Sequence, residues 1–333
     1  MAAQNPSRRR VLASGAAYAA VGLLGALPWS RARAQSFPNR PIRLYVGYSA
    51  GGATDQVARL IAHQISGPLG QQVIVMNMPG ATGSIAAEHV AHSPADGYTL
   101  LMISAADTAV PALRAKLSYN LERDLVGVAP AMEGPLVLVV NPKVKAKSVA
   151  ELVKLANSQP GQLTFGSPGV GNSLHLAAAQ FQSMTGINAL HVPYKGAAET
   201  ITATLSGQVN FCFLMLSNAL PLIKAGRLRP LAVTTLRRVD ALHDVPTLDE
   251  SGLKGYSRSA WFGVAAPTGT PANVLNKLNA TIGKAIASEE ARKVMAQQNF
   301  SPLTGTPQQF TDLIRREVQQ SAKLISNLGI KVE

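Results

Sequence analysis

The chain has one cysteine, Cys212, in 333 residues. No disulfide can form within it, and no cysteine cluster can hold a metal. Cys212 sits in the apolar run Val209-Asn210-Phe211-Cys212-Phe213-Leu214, where a packed, inert thiol is expected. Acids are scarce as well: 18 Asp and Glu against 31 Lys and Arg. Asp55, Asp96, Asp107 and Glu199 are the acids near candidate loops, and none has an adjacent acid for acid–base work. Aromatics are 5% of the chain, and the basic residues are scattered rather than interleaved with them, which argues against nucleic acid as a partner. After residue 34 no apolar run reaches the ~20 residues of a membrane span.

The first 34 residues read as an address. Ser7-Arg8-Arg9-Arg10-Val11-Leu12 resembles a twin-arginine export signal, and Ala32-Arg33-Ala34 is a small-x-small cleavage signal. The expectation is a mature chain starting at Gln35 in the periplasm, without a lipid anchor because no cysteine lies near that point. The alternative is a fixed N-terminal anchor helix. The leader carries five arginines and no acid, so its removal takes the formal charge from +13 to +8. A diffuse positive field attracts anionic solutes, and it equally suits a merely soluble surface.

What remains alternates between strand and helix patterns. Strands are expected at 42–47, 72–76, 98–103, 135–140, 163–166, 189–192, 209–214, 229–234 and 260–265. Ser148-Val149-Ala150-Glu151 is a capping box, and Thr270-Pro271 and Thr306-Pro307 each place a cap before a first-turn proline. Such alternation implies parallel sheets covered by helices, with ligands at the carboxyl ends of the strands. Two apolar runs ending at proline, Pro135 to Pro142 and Trp261 to Pro267, read as connections between two lobes. Residues 35–140 plus 259–333 would form one lobe and 141–258 the other.

Three loops join a strand to a helix. In the first, Tyr48-Ser49-Ala50-Gly51-Gly52-Ala53-Thr54-Asp55, two glycines precede a helix face of Val57, Leu60, Ile61 and Ile65. A helix start offers free backbone N–H groups and partial positive charge, and glycine lets an anion approach. Asp55 reads first as a helix cap and second as a ligand contact. The second loop, Ser167-Pro168-Gly169-Val170-Gly171-Asn172-Ser173, repeats this physics with two hydroxyls. It also fits a plain turn with Ser173 as N-cap. In the third, Tyr194-Lys195-Gly196-Ala197, Tyr194 and Lys195 fit either anion donors or ordinary packed and exposed side chains. Gly169-Val170-Gly171 lacks the third glycine of a dinucleotide site, and Gly171-Asn172-Ser173-Leu174-His175 lacks the closing glycine of a hydrolase elbow. His89 and His92 stand three apart with nothing to complete a metal set, so they are expected to face solvent. No cofactor is expected.

Ala50-Gly51-Gly52-Ala53-Thr54-Asp55, Asn77-Met78-Pro79-Gly80-Ala81-Thr82-Gly83, Pro94-Ala95-Asp96-Gly97-Tyr98-Thr99-Leu100, His191-Val192-Pro193-Tyr194-Lys195-Gly196 and Trp261-Phe262-Gly263 occur in order and with sensible spacing. With Gly166-Ser167-Pro168-Gly169, Gly207-Gln208-Val209, Ile223 to Arg229 and Asp244-Val245-Pro246-Thr247, they cover the chain from about Pro38 to Ile330. On these pieces the chain resembles the Bug receptors, the TctC-like extracytoplasmic solute-binding proteins of tripartite tricarboxylate transporters.

The resemblance implies an α/β, two-lobed periplasmic binding fold of type II-like form, each lobe a mostly parallel sheet flanked by helices, closing on a ligand cleft. It implies a monomeric, non-enzymatic receptor for a small carboxylate, held largely by backbone N–H groups and water, that works with transporter membrane subunits or a sensor domain. Tyr48 to Asp55 would line one side; Ser167, Gly169, Gly171, Asn172, Ser173, Tyr194, Lys195, Gly196 and Ala197 would line the other. Where the family often has Asp and Asn followed by Leu-Pro-Ser after the 209–213 strand, this chain reads Leu214-Met215-Leu216-Ser217-Asn218, so two polar positions are apolar, and Tyr48-Ser49 replaces Phe-Pro or Phe-Ala. Met215 therefore points to a ligand with an apolar middle or an aromatic ring.

Overall fold

A single strand carries the chain between two sheets. The computed structural model describes residues 37–114 and 116–327, so the leader over 1–34 and the cleavage point lie outside the described residues. The strands are β1 (Ile42–Val46), β2 (Val73–Asn77), β3 (Thr99–Ser104), β4 (Leu125–Val140), β5 (Thr164–Ser167), β6 (Leu190–Pro193), β7 (Phe211–Met215), β8 (Arg229–Val233), β9 (Ser259–Pro267) and β10 (Ser301–Pro302). The helices are α1 (Ala53–Leu69), α2 (Ser84–Ala91), α3 (Val110–Leu113), α4 (Leu121–Asp124), α5 (Val149–Ser158), α6 (Ser173–Thr185), α7 (Ala197–Ser206), α8 (Leu216–Lys224), α9 (Ala272–Ile286), α10 (Glu289–Gln297) and α11 (Pro307–Asn327).

Each half starts from an expected pattern. β1 is apolar because β2 and β3 flank it in parallel and helices cover it. α1 buries Val57, Ala58, Ile61, Ala62, Ile65 and Leu69 at helical spacing and stops at Gly70, whose φ of 67° suits only glycine at low cost. The Ser148 hydroxyl accepts the Glu151 N–H at the start of α5. Thr306 and Gln309 cap α11 reciprocally. At α9 the N-cap is Pro271, and the Thr270 hydroxyl turns back to the Pro267 carbonyl instead. His89 and His92 are exposed, as expected.

The sheet is mixed, which corrects the expectation of mostly parallel lobes. β1, β2 and β3 are parallel, as are β5, β6 and β7. β9, however, runs antiparallel to both β3 and β4, and β4 runs antiparallel to β7 and β8. The cause is β4, which is 16 residues long rather than the expected 135–140. Its first part pairs with β9 from Leu125 to Pro135, and its last five residues pair with β7. The register slips between Gly127 and Ala129 and between Pro130 and Met132, so two bulges absorb a proline that lacks an N–H.

Strand direction then fixes where the loops meet. β3 runs with β4 and β7 runs against it, so the carboxyl ends of β1–β3 and of β5–β7 point towards each other along β4. Ser104, ending β3, is level through Phe262 with Met132. Met215, ending β7, is level with Leu136. At about 3.3 Å per residue the two ends stand roughly 13 Å apart along the strand.

Two cores flank this crossing. One gathers Tyr45, Leu101, Ile103, Tyr119, Trp261, Phe310 and Ile314. The other gathers Val137, Val139, Cys212, Leu214, Leu216 and Val233. Cys212 is fully buried, and burial pushes its thiol up to about 12, so it is inert as expected. α11 reaches both halves: Phe310 packs edge-on against Trp261, while Leu324 and Ile325 pack with Ala109, Leu176 and Ala179. A Cβ on Gly263 would meet the Phe310 ring and, at 2.7 Å, the Ala129 carbonyl; one on Gly127 would lie 2.8 Å from the same ring. Phe310→Ala is expected to destabilise the protein by about 3–5 kcal/mol, read as a lower urea midpoint.

Candidate functional site

The first loop is braced from below. Tyr48 turns inward and its hydroxyl donates to Asp107 Oδ1 at 2.9 Å. Asp107 Oδ2 accepts the Ser104 N–H and the Ser104 hydroxyl, each at 2.7 Å. Burial pushes the Asp107 carboxyl up to about 6 and the Tyr48 phenol well above its usual value. Gly83 closes the arrangement, since a Cβ there would sit 2.6 Å from Asp107 Oδ1. Tyr48 is therefore a strut, with its hydroxyl already engaged.

Asp55 braces the same loop from the helix side. Its Oδ2 accepts the Gly51 N–H at 2.8 Å and Arg59 Nε at 2.9 Å, and its Oδ1 accepts Asn77 Nδ2 at 2.8 Å. The Arg59 hydrogen bond chiefly lowers its carboxyl to about 2. The Gly51 N–H, read from the sequence as a free donor, is thus occupied, because an acid one turn into α1 reaches back to it. Gly51, at a φ of 84°, makes the turn. What stays open is the first turn of α1. Gly52 is the N-cap and has no side chain to cap with, and the N–H groups of Ala53, Thr54 and Asp55 have no acceptor among the described residues. Ser49, Ala50, Gly51, Gly52 and Ala53 are exposed.

The second and third loops are tied together. The Tyr194 N–H donates to the Ser167 carbonyl at 2.9 Å. The N-cap of α6 is Asn172, whose side chain accepts the Leu174 N–H; this corrects Ser173, which is the first helical residue. Ser167 is fully buried, and its hydroxyl lies 3.0 Å from the Gly169 carbonyl and 2.6 Å from His191 Nε2. Gly171 donates its N–H to His175 Nδ1 at 2.9 Å. In the third loop Gly196 is an N-cap without a side chain, so the N–H groups of Ala197, Ala198 and Glu199 are open among the described residues. Lys195 is exposed, and its N–H donates to Glu199 Oε2. The Tyr194 ring lies 3.3 Å from where a Gly166 Cβ would be, and it borders a cavity of about 360 Å³ with Ala198, Thr202 and Gln208.

Met215 ends β7 on the same edge and precedes α8, whose start also lacks a side-chain cap. Met215 is half-buried, whereas Leu214 and Leu216 are core residues. Of Leu214, Met215 and Leu216, Met215 alone is not part of the core. Among the described residues no hydrogen bond joins the first loop to the other two. The halves touch instead where a Gly171 Cβ would strike Leu113 of α3 and where Ala109 meets Leu176.

Sequence reasoning missed Ser104, Gly83, His175 and His191, and passed over Asp107. Ser104-x-x-Asp107 after an apolar strand is a capping-box spacing that could have been found. The two histidines carry no local signal, because only the fold stacks them. The Asp107 carboxyl keeps its proton to higher pH in the folded chain than in the unfolded one. That contribution is full below the unfolded value and is lost as pH rises through about 6. Asp107→Asn removes it, so the variant should gain about 3 kcal/mol on the wild type between about pH 4 and pH 7. Parallel urea titrations across that range measure it, and a constant difference would contradict this account.

Several known proteins are similar to this chain. Protein BugT of Bordetella pertussis is 36% identical over 302 residues, covering 90% of this chain and 93% of BugT. The structure of R. palustris Rpa4515 with adipate matches with a TM-score of 0.76 at 34% identity, covering 89% of this chain and 100% of that one. That of MatC (Rpa3494) from Rhodopseudomonas palustris with bound malate matches with a TM-score of 0.72 at 29% identity, covering 87% and 100%. Residues 57–330 match the family described as the tripartite tricarboxylate transporter family receptor, TctC, and the chain belongs to that family.

Proposed function

We propose that this receptor captures a small organic carboxylate between its two opposed strand edges and hands it to the membrane subunits of a tripartite tricarboxylate-type transporter. The observation that carries this reading is the direction of the strands. Both sets of carboxyl ends point inward along β4, and α1 and α7 each begin there with open N–H groups. Such helix starts favour an anion. Each gains only ~0.3–1 kcal/mol, or up to ~2 when partly buried, whereas micromolar affinity needs about 8 kcal/mol. Several donors and closure of the cleft must therefore act together.

In this proposal residues 35–140 with 259–333 form one lobe and 141–258 the other. The change of β4 partners between Pro135 and Leu136 supports a hinge close to that boundary. Ser49 to Asp55 line one wall through backbone donors, Ser167 to Ser173 and Tyr194 to Ala197 line the other, and Met215 gives an apolar patch. A diacid with a methylene middle suits this lining, and adipate, the ligand in the Rpa4515 structure, is one. The leader over 1–34 would direct twin-arginine-type export to the periplasm, where the chain acts as a monomer and without catalysis. A sensor domain is the alternative partner.

One observation favours an exported hydrolase-like enzyme instead: Ser167 Oγ lies 2.6 Å from His191 Nε2. Against it, Ser167 is fully buried and no carboxylate is bonded to His191 among the described residues.

Adipate, malate and a panel of aromatic and amino acids should separate these readings. At a hundredfold excess over Kd a bound acid stabilises by about 2.7 kcal/mol, seen as a higher Tm. A fluorescence change should follow from Trp261, the tryptophan of the described residues. Silence across the panel would sink the receptor reading. Gly52 has a φ of −74° and only the Ser49 carbonyl, at 3.5 Å, near its missing Cβ. Gly52→Val should therefore fold normally yet lose binding of whichever acid the wild type takes, and unchanged affinity would remove the first loop from the site.

A further inference from the structure

Beneath the second loop lies a pair of histidines that the proposed function does not use. His175, on α6, and His191, on β6, stack with ring centroids 3.9 Å apart and planes 10° apart. Phe165 of β5 stacks on His191 at 4.8 Å, and Phe211 of β7 stacks on Phe165. Each histidine bonds a residue of the loop: His175 Nδ1 takes the Gly171 N–H, and His191 Nε2 meets the Ser167 hydroxyl. We propose that His175 and His191 are positioning residues for the ligand loop Ser167–Ser173, and that their neutral, stacked state holds the loop's backbone donors in their binding orientation. This rests on the reading of that loop as one wall of the carboxylate site.

The bonds fix the protonation each ring can bear. His175 accepts at Nδ1, so in its neutral form the proton is on Nε2. A proton added at Nδ1 would set donor against donor and break the bond to Gly171. Gly171 has little freedom to absorb this, since it holds a φ of 74° and backs onto Leu113. His191 is more tolerant. With its proton on Nε2 it donates to Ser167, whose own hydroxyl then turns to the Gly169 carbonyl. With Nε2 bare, the Ser167 hydroxyl donates to it instead. The sensitive ring is therefore His175.

The surroundings keep both rings uncharged. Burial lowers His175 to about 3, with the His191 charge adding to it, and burial alone lowers His191 to about 4. Among the described residues no carboxylate or fixed cation acts on either ring; both rings face Phe165 and each other, Ser167 meets His191, and the Gly171 N–H meets His175. Tyr194, against Gly166, Tyr256, whose hydroxyl donates to the Ala177 carbonyl of α6, and Cys212, level with Gly166, are ionisable side chains of the elements around the pair. The folded values lie below the unfolded one, so the pair's contribution is full above about pH 6.5 and is lost as pH falls towards those values.

Two measurements test the proposal. In ligand-free protein labelled with ¹⁵N at histidine and glycine, His175 should show its proton on Nε2 at neutral pH. The Gly171 amide resonance should then move with His175 protonation in acid. A proton on Nδ1, or a His175 titrating near its ordinary value with Gly171 unmoved, would overturn the proposal. Adipate affinity is the second readout. His175→Phe keeps the stack but loses the acceptor, and should weaken adipate about tenfold at neutral pH, the worth of one hydrogen bond. His175→Asn offers an oxygen where Nδ1 stood; it should bind within about threefold of wild type and lack the wild type's extra loss in acid. A folded His175→Phe that binds adipate as the wild type does would also overturn it. If adipate binds none of the three proteins, the choice of ligand fails, while the Gly171 coupling still decides the role of the pair.

Discussion

The fold and the candidate site depend on one strand serving two sheets. β4 gives Leu125 to Pro135 to β9 and Leu136 to Val140 to β7 and β8. A strand has one direction, so β3, which runs with β4 across the intervening antiparallel β9, and β7, which runs against β4, aim their carboxyl ends at each other. That geometry turns two ordinary α/β edges into facing walls. The contact of Gly171 with Leu113, and the seating of α11 on the first core at Phe310 and against α6 at Leu324 and Ile325, follow from the same arrangement. The bulges around Pro130 are the local accommodation that lets so long a strand persist.

An anion site built from helix starts has to deal with its own acids. Two carboxylates stand directly behind the first loop, and either would repel a bound carboxylate if left bare. Asp55 is neutralised in place by Arg59, Asn77 and the Gly51 N–H, which hold it ionised but matched. Asp107 is treated in the opposite way: burial moves it towards its protonated form, and Tyr48 and Ser104 satisfy its oxygens. The loop is thus rigid, with the Asp107 charge absent below about pH 6 and met by three donors above it, and the donors left over are the backbone N–H groups of Ala53, Thr54 and Asp55. Tyr48 and Asp55, conspicuous in the sequence as polar residues beside the glycines, serve the loop through their side chains.

Much of this was legible in the sequence where the signal is local. The period of Val57, Ile61 and Ile65 marks α1, and the Ser148 and Thr306 caps mark α5 and α11. Other features were hidden because their cause is tertiary. The first half of β4 contains Gly127, Pro130 and Gly134, which read as loop residues; packing of Phe310 over Gly127 and Gly263, and two bulges, make it a strand. Asn172 and Ser173 are both good caps, and only the backbone decides between them. His175 and His191 are 16 positions apart and on different elements, and they meet because α6 packs on β5 and β7 beside β6.

The same distinction between local pattern and fold narrows what the apolar segment after β7 means for a ligand. Side chains alternate faces along a strand, so a run of apolar residues need not present them all to one place. Leu214 turns into the core with Val137 and Cys212, and Leu216 joins them from the first turn of α8. Their hydrophobicity is explained by packing and carries no message about the solute. Met215, between them and half-buried at the strand's end, is different: it sits level with Leu136, at the seam where β4 changes sheets. A polar residue there would offer a fixed hydrogen bond to one ligand group. A flexible thioether offers area without direction. In the proposed site, recognition at this wall would rest on the shape of the ligand's apolar middle, while the helix starts would supply the demand for negative charge.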